Sequence, residues 1–181
     1  MKIGFDGKRA TQNFTGLGNY SRYLIGLLAK FHPQNQYIIY ALNSPSSEIA
    51  IPQVEYKYPK TTLLKSYWRS YGIVKTLVQN KIDLFHGLSN EIPFGLKKRV
   101  PSVVTIHDLI FIRYPEYYSL VDRVIYQLKF RHAALQADKI IAISQQTKHD
   151  LVHYFGIKED KVEVIYQDCD PIFLQPVSQI E

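Results

Sequence analysis

Residues 140–156 read IIAISQQTKHDLVHYFG. The run Ile140–Ile143 is short, apolar and mostly β-branched, which suits a buried strand. The pattern then changes at once. Ser144 offers a side-chain oxygen to the free amides of a helix start, and Gly156 is the residue that most readily takes the left-handed conformation at a helix end. The stretch predicts strand, N-cap, helix and stop as one unit.

Working outward, the same alternation fills the chain. Strand candidates are Lys2–Phe5, Gln36–Leu42, Val54–Tyr58, Asp83–Gly87, Ser102–His107, Lys139–Ile143 and Val162–Tyr166. Between them lie helical patterns. Leu64, Tyr67, Trp68, Tyr71, Val74 and Val78 fall on one face at three- and four-residue steps, with Lys65, Arg69 and Lys75 off that stripe. Val121, Val124, Ile125, Leu128 and Leu135 repeat the spacing in a helix around 120–136. Strands buried on both faces and separated by helices define the α/β class: a Rossmann-like parallel sheet of about seven strands with helices on both faces.

In such sheets ligands gather at the carboxyl ends of the strands, near the point where the strand order reverses. That rule selects residues. The first strand ends at Phe5-Asp6-Gly7 and leads to Gly16 and Gly18; the fourth ends in Phe85-His86-Gly87-Leu88, the fifth in Thr105-Ile106-His107-Asp108, the sixth in Ile143-Ser144. Each also has a structural reading. A histidine after a strand is often a hydrogen-bonded framework group, and Asp6 suits a loop cap.

The stretch Gly16-Leu17-Gly18 departs from a dinucleotide fingerprint, because Ser21 stands where a third glycine belongs and Asn43, not an acid, follows the second strand. No Gly-Lys-Ser/Thr occurs, which excludes a Walker A loop. What remains is a permissive backbone before a helix start near Asn19-Tyr20, whose amides and dipole suit an anion.

At 181 residues the chain predicts one domain. The N-terminus has no room for a signal peptide, and no apolar run reaches membrane-spanning length. With a single cysteine, Cys169, there is no internal disulfide. The expectation is a cytoplasmic protein. Net charge is +6, and residues 56–107 carry nine Lys/Arg against two acids, Asp83 and Glu91. This favours an anionic partner or reads as a solvated basic face. Lys65 and Arg69 are the candidates for an anionic-surface contact, peripheral at the inner face of a membrane. Nucleic acid is not expected, since charge alone supports it and no recognition motif is present.

These residues together resemble the N-terminal half of a GT-B glycosyltransferase, of the retaining, nucleotide-sugar-dependent glycosyltransferase family 4. The carriers are Thr15-Gly16-Leu17-Gly18-Asn19-Tyr20, Val104-Thr105-Ile106-His107-Asp108-Leu109, Ala137–Ser144, Thr147–Leu151 and Lys161–Tyr166. The resemblance implies an acceptor-side domain over residues 1–175, a linker beginning at 176–181, and a missing C-terminal domain that holds most of a UDP- or GDP-sugar. It implies no tightly bound cofactor, and a carbohydrate or lipid-linked acceptor. By the same resemblance Gly16 and Gly18 approach the donor diphosphate or transferred sugar, Ser144 lines the floor, and the catalytic candidates are His107, contacting the sugar near the reacting carbon, and Asp108, orienting that histidine or the loop; Asn19 and His86 join the binding set from their places at the helix start and the strand end. Gln167-Asp168-Cys169-Asp170 stands where an Asn-Gly turn is common in the family. Asp168 and Asp170 lack the further oxygen ligands that Mg²⁺ or Mn²⁺ needs, so no metal site is expected. The implied function is hexosyl transfer as part of polysaccharide biosynthesis; the alternative is a non-catalytic sugar-phosphate or partner-binding module.

Overall fold

The computed structural model describes residues 1–59 and 64–168. Lys60, Cys169, Asp170 and the expected linker lie outside them. Seven strands, β1 (Lys2–Asp6), β2 (Gln36–Tyr40), β3 (Glu55–Lys57), β4 (Leu84–Gly87), β5 (Ser102–Ile106), β6 (Lys139–Ala142) and β7 (Val162–Val164), form one sheet in the order β3-β2-β1-β4-β5-β6-β7. Every pairing is parallel. The order reverses at β1, so the crevice for ligands opens where β1 and β4 end. Phe5, Ile39, Phe85, Val104, Ile106, Ile140 and Ala142 are buried, as a sheet covered on both faces requires.

The helices are α1 (Lys8–Gln12), α2 (Gly16–Phe31), α3 (Lys65–Tyr67), α4 (Ile73–Gln79), α5 (Ile110–Arg113), α6 (Leu120–Gln136) and α7 (Gln145–Phe155). In α7 the sequence is realised as read. Ser144 Oγ accepts from the Thr147 amide at 3.1 Å, and Gly156 ends the helix at φ 65°.

Two apolar stripes do not face where their spacing pointed. Between α3 and α4 the residues Trp68–Gly72 form a π-helical turn, in which the Ile73 amide bonds the Trp68 carbonyl. A five-residue step adds a residue to the turn and rotates everything beyond it. Ile73, Val74 and Leu77 consequently reach the core, while Tyr67, Tyr71 and Val78 face outward. In α6 the inner face is Phe130, Ala133 and Ala134, with Phe130 meeting Phe111 edge-on at 5.2 Å. Tyr126, Phe130, Ala133, Ala134 and Ala137 satisfy the helical spacing as well as the expected set did, and the small side chains of Ala133, Ala134 and Ala137 let the C-terminal part of the helix pack closely. Val121, Val124 and Leu128 are left 68%, 60% and 65% exposed.

α2 begins earlier than expected. Thr15 is its N-cap, so Gly16 and Gly18 belong to the first helical turn rather than to a loop before Asn19. A Cβ on Gly18 would overlap the Asn13 carbonyl oxygen, whereas one on Gly16 meets nothing. Gly18 is therefore required by chain packing, and Gly16 is the open position.

Candidate functional site

β5 carries the side chain on which the site is built. His107 follows its last residue, and its backbone amide donates to Asn90 Oδ1 at 2.8 Å. Asn90 has φ 62°, the left-handed region that asparagine tolerates, and its own amide donates to the Thr105 carbonyl. The β4–β5 loop thus grips the end of β5. From the other side Thr147 Oγ1 donates to the His107 carbonyl at 2.9 Å.

The imidazole state follows from its partners. His107 Nε2 lies 3.0 Å from the Leu88 carbonyl, which only accepts, so Nε2 carries the proton. Nδ1 is then a lone pair, taken by Gln167 Nε2 at 3.1 Å. Burial pushes the His107 pKa down; the Leu88 carbonyl and Asp108 act against this without overcoming it, and Arg9 adds to it. The ring is neutral, buried, and meets Tyr20 of α2 edge-on at 4.9 Å. Tyr20 stands one turn past Gly16, so the ring lies against the first turns of α2. It does not stand open to a gap, because Gln167 covers its free nitrogen.

Beneath it runs a short polar chain. Tyr20 Oη and Thr105 Oγ1 are 3.0 Å apart, and Thr105 Oγ1 and His86 Nε2 2.9 Å apart. His86 is buried, and burial lowers its pKa to about 4. Its place is under the rim, supporting Thr105 and Tyr20. An unfolded chain protonates this histidine near pH 6.5 and the folded one only near 4, so between those values acid favours unfolding. From pH 6 to pH 5 we expect a stability loss of about 1 kcal/mol by urea titration, and a shallower slope in His86→Gln. Equal slopes in both proteins would remove His86 as the cause.

The other expected residues take definite places. Asp108 Oδ1 accepts from the Ile110 amide at 3.1 Å, so it fixes the loop into α5 rather than bonding the His107 ring. Ser144 Oγ is engaged in capping α7. Asn19 Oδ1 accepts from Arg22 Nη2. At the start of α2 the Thr15 carbonyl uses the amides of Gly18 and Asn19, and those of Gly16 and Leu17 have no partner among the described residues. A sixteen-residue helix holds a partial positive charge there. Lys65 Nζ donates to Asn43 Oδ1 at 2.6 Å.

Arg69 is not a surface contact. The π turn swings it inward, where it forks onto Asp6 (Nη2 to Oδ2 2.7 Å, Nε to Oδ1 3.2 Å) and reaches Glu91 Oε2 at 2.8 Å. Burial works to raise the Asp6 pKa, and Arg69 with the Lys8 amide overrides it and holds the carboxyl below its ordinary value. Burial likewise opposes the Arg69 charge, and Asp6 and Glu91 more than restore it. A cavity lined by Asp6, Arg69, Glu91, Phe94, Lys129 and His132 opens beside this cluster.

The sequence reading missed Arg9, Tyr20, Asn90, Thr105, Thr147 and Gln167. Arg9 has a buried Nε without a partner among the described residues, and its charge reaches His107. Thr105 had a signal, being a polar residue between Val103-Val104 and Ile106, next to the residue that precedes His107. Gln167 had none, since the Gln–His contact joins segments 60 residues apart. Among the described residues no group of three or more His, Cys, Asp or Glu is placed to hold a metal ion.

Solved structures share this architecture. Alr3699/HepE of Anabaena, in complex with UDP and glucose, matches with a TM-score of 0.57 at 21% identity, over 94% of this chain and 45% of its own. A glycosyltransferase from Rickettsia africae matches at 0.55 and 14%, over 97% and 46%. The wall teichoic acid polymerase TagF matches at 0.54 and 15%, over 91% and 38%. Among curated proteins no match is found. The seven-stranded parallel sheet with its rim of loops is the Rossmann-like half of the GT-B glycosyltransferase fold. The model of Glycosyltransferase Family 4 matches residues 14–170. The chain belongs to that family and is a glycosyltransferase domain. It spans less than half the length of the solved structures it resembles.

Proposed function

We propose that this domain is the acceptor-side half of a retaining glycosyltransferase that moves a hexosyl group from a UDP- or GDP-sugar to a hydroxyl of a glycan or lipid-linked acceptor. The family match over residues 14–170 carries the reading. It is supported by a neighbour crystallised with UDP and glucose, and by the share of each neighbour that the chain spans. On this reading residues 1–175 form the domain, 176–181 begin a linker, and a second GT-B domain closes the cleft and holds most of the donor. Work proceeds in the cytoplasm, with peripheral contact to an anionic membrane at its inner face; with Arg69 committed to Asp6 and Glu91, Lys65 is the remaining basic candidate on α3.

The roles follow from the chemistry in place. A neutral imidazole with Nε2–H pinned to Leu88 presents its Nδ1 lone pair, which accepts from a sugar hydroxyl once Gln167 gives way. The free amides of Gly16 and Leu17, with the dipole of α2 behind them, face the negative charge of a departing diphosphate. Arg9 adds a cation whose charge reaches His107. Ser144 and Asp108 hold the loops, and His86 holds Thr105 and Tyr20 beneath. No metal and no tightly bound cofactor take part.

Calorimetric titration of UDP and GDP into this chain, and into a polypeptide extended through the second domain, tests the proposal. The expected result is a gain of about a hundredfold in affinity on extension, with one nucleotide preferred. Equal binding to both would favour a non-catalytic sugar-phosphate module.

A further inference from the structure

The largest unexplained feature of the surface is the outer face of α6. Val121, Val124, Ile125 and Leu128 recur at i, i+3, i+4 and i+7, and Leu120 adjoins them; all five are exposed. Folded proteins seldom leave a continuous apolar strip uncovered without use for it. The strip has tyrosines at one end. Tyr114 and Tyr117, 6.1 Å apart between ring centres, are exposed just ahead of α6. One helical turn beyond Leu128 the ring of His132 meets Phe94 at a tilt, 4.0 Å between centres, and Phe94 stacks on Tyr71 at 5.0 Å. Exposed Tyr71 and Tyr67 continue the row.

The charges around it have one sign in excess. α6 carries Arg123, Lys129 and Arg131 against one acid, Asp122; Asp122 accepts from Ser119, and Lys129 is paired with Glu91. At its C-terminal end Lys161 Nζ donates to the Ala134 and Leu135 carbonyls. Burial and the nearby Lys97 depress the Lys161 pKa, with Asp138 acting against them, and Lys98 and Arg99 are exposed beside Lys97 in the chain. Branched aliphatics in a stripe, tyrosines at the border and cations at the rim are the composition of a helix lying in a membrane interface.

We propose that α6 docks on an anionic lipid bilayer, with Leu120, Val121, Val124, Ile125 and Leu128 entering the acyl boundary while Arg123, Arg131 and the 97–99 loop meet the headgroups. This rests on the peripheral-membrane part of the reading above and moves the contact from the basic α3 to an apolar helix. Charge complementarity decides the occupant: an anionic headgroup layer matches a basic rim around an aliphatic strip.

Flotation of the protein with phosphatidylcholine vesicles, with and without about one third phosphatidylglycerol, tests it. Binding is expected to the anionic vesicles, and the pair Val124→Glu with Leu128→Glu is expected to lower it by about tenfold or more. Both positions are on the surface, so thermal unfolding should match the parent. Should that pair fail to fold, Arg123→Gln with Arg131→Gln provides the same test, with an expected loss of about tenfold in the preference for phosphatidylglycerol. If Lys65→Gln with Lys75→Gln abolishes binding while the α6 variants leave it intact, the membrane reading stands and α6 is not its site. Absence of binding to any vesicle overturns both. A protein that is dimeric by light scattering without lipid, and monomeric in the glutamate pair, assigns α6 to a second copy and overturns the proposal.

Discussion

Replacing Arg69 with methionine is expected to lower the unfolding free energy by about 3–5 kcal/mol, read from the urea midpoint at pH 7. The change removes one cation and leaves two carboxylates behind, Asp6 and Glu91, both held away from water. Lys129, at 3.5 Å from Glu91, compensates one of them in part and reaches only that one. The pH dependence separates this cause from simple loss of packing. In the parent the Asp6 pKa lies below its ordinary value, so its contribution is complete above about pH 4 and is lost as pH falls through the lower folded value. Without Arg69, burial is opposed only by the Lys8 amide and charge, and the Asp6 pKa rises relative to the parent. The variant then gains stability relative to the parent on acidification from pH 7 toward the raised value, because the folded state takes up the proton first. Asp6→Asn in the methionine background should recover part of the loss. A variant within about 1 kcal/mol of the parent, or one with a parallel pH profile, would show that the pair carries no such burden.

Arg69 also shows where the sequence stopped being readable. Its inward turn depends on five residues of π geometry, Trp68–Gly72, and a period of 3.6 assigned to the whole segment keeps Val74 on the inner face but puts Val78 there in place of Ile73 and Leu77. α7 was legible because its signals are local: Ser144 and Gly156 act on amides and dihedrals within a few residues. α6 was legible as a helix and not as a face, since two sets of residues fit the same periodicity and only contact with Phe111 chooses between them. The parallel order of the sheet follows from alternation and handedness, which survive such errors. The site divides along the same line. His86, His107 and Asp108 could be named from their position after strands, whereas the partners that set their chemistry, Leu88, Thr105 and Gln167, come from elsewhere in the chain. Position was local information and protonation state was not.

Those partners make the effect of His107→Ala specific. In the polypeptide extended through the second domain, kcat is expected to fall about a hundredfold, or about 2.7 kcal/mol, the scale for a positioned group at the reacting centre. Stability should change far less, because the backbone amide of residue 107 still donates to Asn90 and its carbonyl still accepts from Thr147. Gln167→Ala supplies the complementary measurement. If Nδ1 must be uncovered to accept from a sugar hydroxyl, removing the amide that covers it lowers KM for the donor and leaves kcat near the parent value. The pH profile follows from the same geometry. A neutral ring is required, its pKa lies below 6.5, and kcat should be flat from neutral pH down to that lowered value and fall beneath it. Unchanged kcat in a folded His107→Ala protein would reject the assignment. A raised KM in Gln167→Ala would place Gln167 on the ligand rather than in its way, and the ring would then serve to hold Gln167.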